Sequence, residues 1–184
     1  MNPYARIIDK FHSAIPVIND WIDRLLESNK ENVFHIINLN FRRINQVFPS
    51  NLLERAKVVT VESKVPFPPL TQIGLHELSG MEQMPMAGIT YKDTFFVNQN
   101  CATESLYFHE LVHVAQWETL GVDNFLLAYG IGLIQFGYEN SPLEQMAYTL
   151  QRNFEMGSIP NGIVELIEQQ TDAIWNQVTP LLNK

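Results

Sequence analysis

The sequence predicts a mostly helical α+β fold with a small sheet in the middle of the chain. Apolar residues recur at helical spacing through the first quarter of the chain and again from about residue 104 to residue 180. Between them, KVVTVE at 57–62 and GITYKDTFFV at 88–97 are rich in the β-branched and aromatic residues that favour strands. The chain has 184 residues, 46% of them apolar, with no internal repeat and no long linker. We therefore expect a single domain over residues 1–184.

The N-terminal part, about residues 1–56, is predicted to be helical. Asn2 and Pro3 suit the start of a helix, because asparagine can cap free backbone N–H groups and proline fits the first turn. Pro16 is expected to interrupt the helix that follows. Apolar residues recur at helical spacing over residues 4–11, 18–25 and 33–48.

The central part, about residues 57–156, is predicted to combine the small sheet with helices. We expect a strand at 57–62, an extended proline-rich loop at 65–70, VPFPPL, and two strands around a turn at Lys92-Asp93. Apolar periodicity then predicts helices over 104–119, 123–137 and 142–156, and a C-terminal helix over about 161–180.

Charge, cysteine content and hydropathy argue against several classes of function. The chain carries 12 basic and 20 acidic residues and no stripe of lysine or arginine, so we expect no nucleic-acid partner. Cys101 is the only cysteine, which excludes an intramolecular disulfide and a cysteine-based zinc site. The apolar stretch 125–138 is short for a membrane span and is interpreted as a buried helix, with contact to a membrane surface as the alternative. Because no secretory signal is visible, we expect a cytoplasmic protein without a stable membrane span.

One short segment, FHELVHVAQWE at 108–118, carries the strongest functional signal. His109 and His113 are four positions apart, and residues at this spacing lie on one helix face with Cβ atoms about 5–6 Å apart, so both imidazoles can reach one zinc ion. Glu110 lies about 100° round the helix, beside the ion, where a base can stand. Random placement would produce this pattern in roughly one such chain in a hundred. The alternative is an ordinary amphipathic helix with two histidines bonded to backbone groups or lying along an exposed edge.

A catalytic zinc site normally takes three protein ligands and leaves one position for water. No histidine and no cysteine follow His113, so the third ligand is expected to be a carboxylate. Glu139 and Glu144 are the better candidates, because both follow a helix that can return the chain towards the histidines. Glu144 has another interpretation: Ser141 and Glu144 fit a capping box at the start of a helix. From the local pattern we expect Glu144 to be half-buried at most.

The two segments together resemble a known family. HELVHVAQWETLG, followed after an apolar helix by YENSPLEQMAY, is similar to the small metallopeptidases called minimal gluzincins, most of all those related to the core domain of extracellular contractile injection systems. In that group HELxHVxQ is followed by N-P-x-E-x-x-A-Y, whereas here Ser141 stands between Asn140 and Pro142. The resemblance covers about residues 88–156.

This resemblance implies a zincin-like fold, with a small sheet, an active-site helix that carries the HExxH motif and a following helix that carries the third ligand. By position it implies that the zinc ligands are His109, His113 and Glu144. It also implies Glu110 as the catalytic base, and it favours Glu144 over Glu139.

We therefore expect a zinc metallopeptidase that hydrolyses a peptide or protein substrate through a zinc-bound water, with Glu110 as general base. Residues 94–97, TFFV, are expected to form an edge strand with which an extended substrate can pair. Gln116 shares the histidine face and is expected to support a ligand. Tyr138 and Tyr148 flank the ligand region, where packing is favoured over stabilisation of an oxyanion.

Two other interpretations use the same residues differently. A non-catalytic zinc-binding interaction or scaffold module would keep the ligands and Glu110 without turning over a substrate. A helical protein without metal is the third possibility. An open cleft above Glu110 would favour the enzyme, and a cleft plugged by residues 65–87 would indicate a scaffold or a latent form.

Overall fold

The computed structural model of the chain describes residues 3–182, and its architecture confirms the predicted α+β class with a majority of helix. Its helices are α1 (Pro3–Ser28), α2 (Arg42–Val47), α3 (Ser50–Arg55), α4 (Ser79–Glu82), α5 (Glu104–Phe136), α6 (Pro142–Glu155) and α7 (Ile163–Val178). Its strands are β1 (Phe34–His35), β2 (Lys57–Val61), β3 (Gly88–Tyr91) and β4 (Thr94–Asn98). Short 3₁₀ turns occupy Ile36–Leu39, His76–Leu78, Gln99–Cys101 and Thr179–Leu181.

The four strands form one mixed sheet in the order β1-β2-β4-β3. Strand β4 pairs in parallel with β2 and antiparallel with β3, so it lies inside the sheet. The expectation that residues 94–97 form an edge strand is therefore wrong, and the strand at that edge is β3. The physical reason is visible in the segment: Thr94–Val97 is buried on both faces, as continuous apolar runs in central strands are.

Helix α1 runs without interruption through Pro16, so the predicted break is wrong. An interior proline costs about 3 kcal/mol because it removes one backbone hydrogen bond. Ile15, Ile18 and Ile22 are buried around it, and each contributes about 1.5–3 kcal/mol, which offsets that cost. Pro3 begins the helix as predicted, and the expected cap at Asn2 lies outside the described residues.

The apolar stripe over residues 33–48 does not form one helix. Strand β1 pairs Phe34 with Val58 of β2, a 3₁₀ turn follows, and Asn40 then adopts a left-handed conformation with φ 55° before α2 begins. The stripe still marks the core, since Ile36, Ile44 and Phe48 are buried. The apolar spacing over residues 33–48 therefore predicts correctly which residues are buried, but it predicts the wrong backbone conformation.

The remaining predicted elements are confirmed. Strand β2, the β3–β4 hairpin around Lys92 and the extended loop at 65–70 lie where the sequence places them. Lys92 takes a positive φ of 58° at the turn. The two helices predicted over 104–119 and 123–137 are the two halves of α5, which is kinked at Gly121 with φ 70° and ψ 176°. That backbone conformation is open almost only to glycine, which explains why the kink falls there.

Helix α5 is the central element of the molecule. All residues from Tyr107 to Trp117 are buried. By length and composition this helix could also cross a membrane, with a mean hydropathy of 1.2 over its most apolar window, of which 44% is buried inside the protein. Core helices that never meet lipid pass the same test. The predicted burial of the apolar stretch 125–138 holds for Phe125–Ala128 and Ile131, while its last residues are more exposed.

Candidate metal centre

The first half of α5 presents both histidines of the motif to one buried point. His109 and His113 are only 4% and 5% exposed. Their Nε2 atoms lie 3.1 Å apart, as expected for side chains one helical turn apart on one face. The interpretation of these histidines as residues along an exposed helix edge is therefore wrong.

Helix α6 brings Glu144 to the same point. Its Oε2 lies 3.4 Å from Nε2 of His109, and its Oε1 lies 3.5 Å from Nε2 of His113. Candidate ligand atoms of the three residues all lie within 4.8 Å of one another. Glu139, the other carboxylate considered, is exposed and does not join the cluster.

The capping-box interpretation of Ser141 and Glu144 is wrong. The Ser141 hydroxyl makes no capping hydrogen bond and has no hydrogen-bond partner, and the Glu144 carboxylate points to the histidines. The expectation of a half-buried Glu144 is also wrong, since the residue is 2% exposed. Close packing explains the burial: a Cβ on Gly132 of α5 would lie 2.6 Å from the Ser141 hydroxyl, so only glycine lets the start of α6 come this near.

Two glutamines set the orientation of the imidazoles. Oε1 of Gln116 lies 2.8 Å from Nδ1 of His113, and Nε2 of the same amide donates to the Leu143 carbonyl oxygen, which identifies Oε1 as the acceptor. In the same way Oε1 of Gln151 lies 3.0 Å from Nδ1 of His109. Both Nδ1 atoms therefore carry the proton, and both Nε2 atoms are free to bind a metal. The sequence predicted the supporting role of Gln116.

A tyrosine completes the carboxylate's surroundings. The Tyr129 hydroxyl donates to Oε1 of Glu144 at 2.6 Å, whereas Oε2 is buried without a hydrogen-bond partner. Burial and the nearby Glu144 carboxylate raise the pKa of Tyr129 well above its usual value, so the phenol keeps its proton and acts as a donor.

Glu110 lies beside the cluster, against strand β3. It is 3% exposed, and its Oε2 accepts a hydrogen bond from the Thr90 hydroxyl at 2.7 Å. The other carboxylate oxygen occupies the space that a side chain at Gly88 would fill, since a Cβ there would overlap it and lie 2.9 Å from the carboxyl carbon. Burial raises the pKa of Glu110, although His109, His113 and Thr90 oppose the shift.

The pKa shifts in the cluster indicate that His113 and Glu144 form a charged pair. Burial opposes protonation of His113, but the neighbouring Glu144 outweighs it and raises the pKa of His113 to about 9. Burial would raise the pKa of Glu144, yet the two histidines hold it well below its usual range. Without a metal, therefore, a proton on His113 neutralises the buried carboxylate, and a cation that enters takes the place of this proton.

The donor set and its spacing fit zinc. Two imidazole nitrogens and one carboxylate oxygen are a common ligand set for catalytic zinc, with the fourth position open. Ligand atoms 2.0–2.1 Å from a tetrahedral zinc ion lie about 3.3 Å from one another. The two Nε2 atoms lie 3.1 Å apart, and each lies close to that value from one oxygen of Glu144, 3.4 Å from Oε2 for His109 and 3.5 Å from Oε1 for His113. The unpartnered oxygen of Glu144 is also explained if a cation is its partner.

The space next to the cluster is a small covered cavity of about 80 Å³. A water molecule needs about 10–15 Å³ of such space, so the cavity holds a few waters and no peptide segment. Helix α1 contributes Phe11 and Ile18 to its wall, and the segment between β2 and β3 contributes Phe67, Pro68 and Leu70. The cleft above Glu110 is thus covered from the side of residues 65–87.

The structure adds site residues that sequence analysis missed. Gln151 lies seven positions after Glu144, two turns along the same face of α6, so helical periodicity could have revealed it. Thr90 lies two positions after Gly88, on the same face of β3, but only the packing of the sheet on α5 shows that both meet Glu110. Tyr129 lies beyond the kink of α5, and no local pattern indicates its contact.

The tyrosines named from the sequence lie around the site without touching a carboxylate ligand. The rings of Tyr148 and His109 have centroids 4.6 Å apart, and the hydroxyl of Tyr148 interacts with that of Tyr138. Packing stays the favoured role of both tyrosines, and stabilisation of an oxyanion by either hydroxyl stays the untested alternative.

Comparisons of the chain with known protein families, with curated proteins and with solved structures found no match. The geometry of the buried cluster therefore carries the functional proposal.

Proposed function

We propose that this protein is a zinc-dependent hydrolase of the metallopeptidase type. The metal ligands in this proposal are His109, His113 and Glu144. One observation carries the proposal: a buried acid, Glu110, lies beside the buried His-His-Glu cluster. Because the cluster already supplies three ligands, Glu110 is left free to act as a base. The likeness of HELVHVAQ and of the segment around Glu144 to minimal gluzincins supports the same function.

Glu110 is suited to move a proton. Zinc bound at the cluster would supply Lewis-acid chemistry, polarising a carbonyl group and acidifying a water. Glu110 would take the proton of that water and return it to the leaving amine. Thr90 holds one oxygen of the carboxylate, and burial moves the pKa of Glu110 upward, towards the range in which a carboxylate both accepts and donates near neutral pH.

The remaining residues of the site orient the reacting groups. Gln116 and Gln151 each hold the Nδ1–H of one histidine, so Nε2 is the nitrogen that each imidazole offers to a metal at one common point. The apolar wall of the cavity excludes bulk water, which strengthens the electrostatic contacts of Glu110. The chain's own contribution is therefore a preorganised and dry site.

The covered cavity favours a second candidate, a non-catalytic zinc-binding module. The cavity of about 80 Å³ beside Glu110 leaves no room for a peptide in the described conformation, and Phe67, Pro68 and Leu70 form part of its wall. Under the enzyme proposal the described conformation is a closed, latent one, and residues 65–87 move to admit substrate. Under the alternative, the zinc ion only stabilises the fold.

Metal analysis and a cleavage assay test these proposals together. We expect about one equivalent of zinc per chain after expression with zinc, and His113→Ala should lose most of it, because two ligands hold zinc poorly. A library of peptides should then be cleaved by the zinc-loaded protein and not by the chelated one. Metal-free wild-type protein would contradict both functions, and full zinc occupancy without cleavage would leave the non-catalytic module.

A further inference from the structure

We propose that Tyr129 is a positioning residue for the metal: it holds Oε1 of Glu144, so that Oε2 alone binds the ion. The inference rests on the proposed metal site and not on hydrolysis. Under this proposal the partner of Oε1 is the Tyr129 phenol, and the partner of Oε2 is the metal ion.

The two oxygens of Glu144 have different surroundings. Oε1 accepts the Tyr129 hydrogen bond at 2.6 Å. Oε2 is fully buried, lacks a hydrogen-bond partner and lies 3.4 Å from Nε2 of His109. Oε1 also lies 3.5 Å from Nε2 of His113, but it already accepts the Tyr129 hydrogen bond. A buried carboxylate oxygen is normally paired, so the unpaired Oε2 beside the metal-binding nitrogen of His109 marks the atom offered to the metal.

Tyr129 is itself held by a row of stacked rings along α5. The Tyr129 ring stacks on Phe125 at 5.6 Å with an interplanar angle of 17°, and Phe125 stacks on Trp117 at 4.0 Å and 19°. The indole N–H of Trp117 donates to the Thr90 carbonyl oxygen. The row spans the kink at Gly121, so the sheet and both halves of α5 fix the place of the phenol.

Removing the phenol oxygen would release the carboxylate. Both oxygens of Glu144 could then turn towards the ion, or the carboxylate could rotate away from it. Loss of a residue that hydrogen-bonds to a metal ligand typically lowers metal affinity by about 10–100-fold. Tyr129→Phe keeps the ring in the stack and deletes only the hydroxyl group, so the fold should persist.

Tyr138→Phe is the matched control. Tyr138 also lines the cavity, but its hydroxyl interacts with Tyr148 and, unlike that of Tyr129, makes no hydrogen bond to Glu144. Zinc affinity is measured for both variants by competition with a chromogenic chelator. The visible spectrum of the cobalt-loaded proteins reports the coordination, and the thermal midpoint of the chelated proteins reports the fold.

We expect Tyr129→Phe to weaken zinc binding by about 10–100-fold and to alter the cobalt spectrum, while its chelated form melts close to wild type. Tyr138→Phe should keep the wild-type affinity and spectrum. If Tyr129→Phe and wild type have equal zinc affinities and equal cobalt spectra, the positioning role of Tyr129 is overturned, whereas the metal site is unaffected. Wild-type protein that takes up neither metal would overturn the metal site itself, and the inference with it.

Discussion

Glu110 has a chemical role in the proposed enzyme and none in the alternative, a non-catalytic zinc-binding module. Its carboxylate touches Thr90 and faces the histidines without serving as a ligand. Glu110→Gln is nearly isosteric and can still accept the Thr90 hydrogen bond, but it cannot take a proton. We expect zinc content and thermal midpoint to stay near wild type while peptide hydrolysis falls by a factor of about 10²–10⁴ or more. Unchanged turnover in this variant would remove Glu110 from the mechanism.

The proposed ligand role of Glu144 can be separated from its role in packing, with Glu139 as the control. Zinc at about 100 times its dissociation constant adds about 2.7 kcal/mol of stability, which for a chain of this size raises the thermal midpoint by roughly 5–10 °C. Glu144→Gln should lose most of this zinc-induced rise. Glu139→Gln should keep it, because Glu139 is exposed and outside the cluster. A loss at Glu139 instead would move the third ligand there, and an undiminished rise in Glu144→Gln would exclude Glu144 as a ligand.

At the scale of elements, the site depends on how closely strand β3 lies against α5. Gly88 provides the space for the Glu110 carboxylate. Gly88→Ala should displace that carboxylate and lower hydrolysis roughly 10²-fold, because small misplacements of a catalytic group are costly. Overpacking should also destabilise the fold by about 1–3 kcal/mol, with zinc retained.

Gly80→Ala is the matched control for this steric effect. Gly80 lies in α4, and a Cβ there meets no atom within 4 Å. Hydrolysis, zinc content and stability should all stay near wild type, as measured by the same cleavage assay and thermal melts. If both alanine variants behave alike, the contact between Gly88 and Glu110 does not matter for function.

At the scale of the whole molecule, α1 and the segment between β2 and β3 cover the site. The Tyr91 hydroxyl donates to the Pro66 carbonyl oxygen at 2.9 Å and ties that segment to β3. Tyr91→Phe removes one hydrogen bond, worth about 0.5–1.5 kcal/mol, so the open state should become roughly 2–10 times more populated. A chelator should then extract zinc faster by the same factor, while the equilibrium affinity stays unchanged, because entry and exit use the same opening.

Tyr107→Phe controls for the loss of a buried tyrosine hydroxyl. Tyr107 is 7% exposed, and its hydroxyl interacts with Thr60 and not with the segment between β2 and β3. Its zinc extraction rate, followed by stopped-flow absorbance of the chelator, should match wild type. Equal rates in all three proteins would show that residues 65–87 do not gate the site.

The sequence by itself determined the local features of this protein. The spacing of His109 and His113 implies one helix face, and the position of Glu110 follows from the same geometry, because both depend only on residues within two turns. The β3–β4 hairpin and the break at Gly121 also follow from short-range preferences of the backbone.

Only the tertiary structure decided the features that join distant segments. It brought Glu144, which the resemblance already favoured over Glu139, to the histidines, because α6 packs its first turn onto the histidine face. It placed β4 inside the sheet and carried α1 through Pro16, where burial outweighs a local preference. Tyr129 reaches Glu144 across the kinked helix, and the cavity is lined by segments far from the motif in sequence. Such contacts depend on how whole elements pack, and packing is a property of the folded chain that no short window of sequence contains.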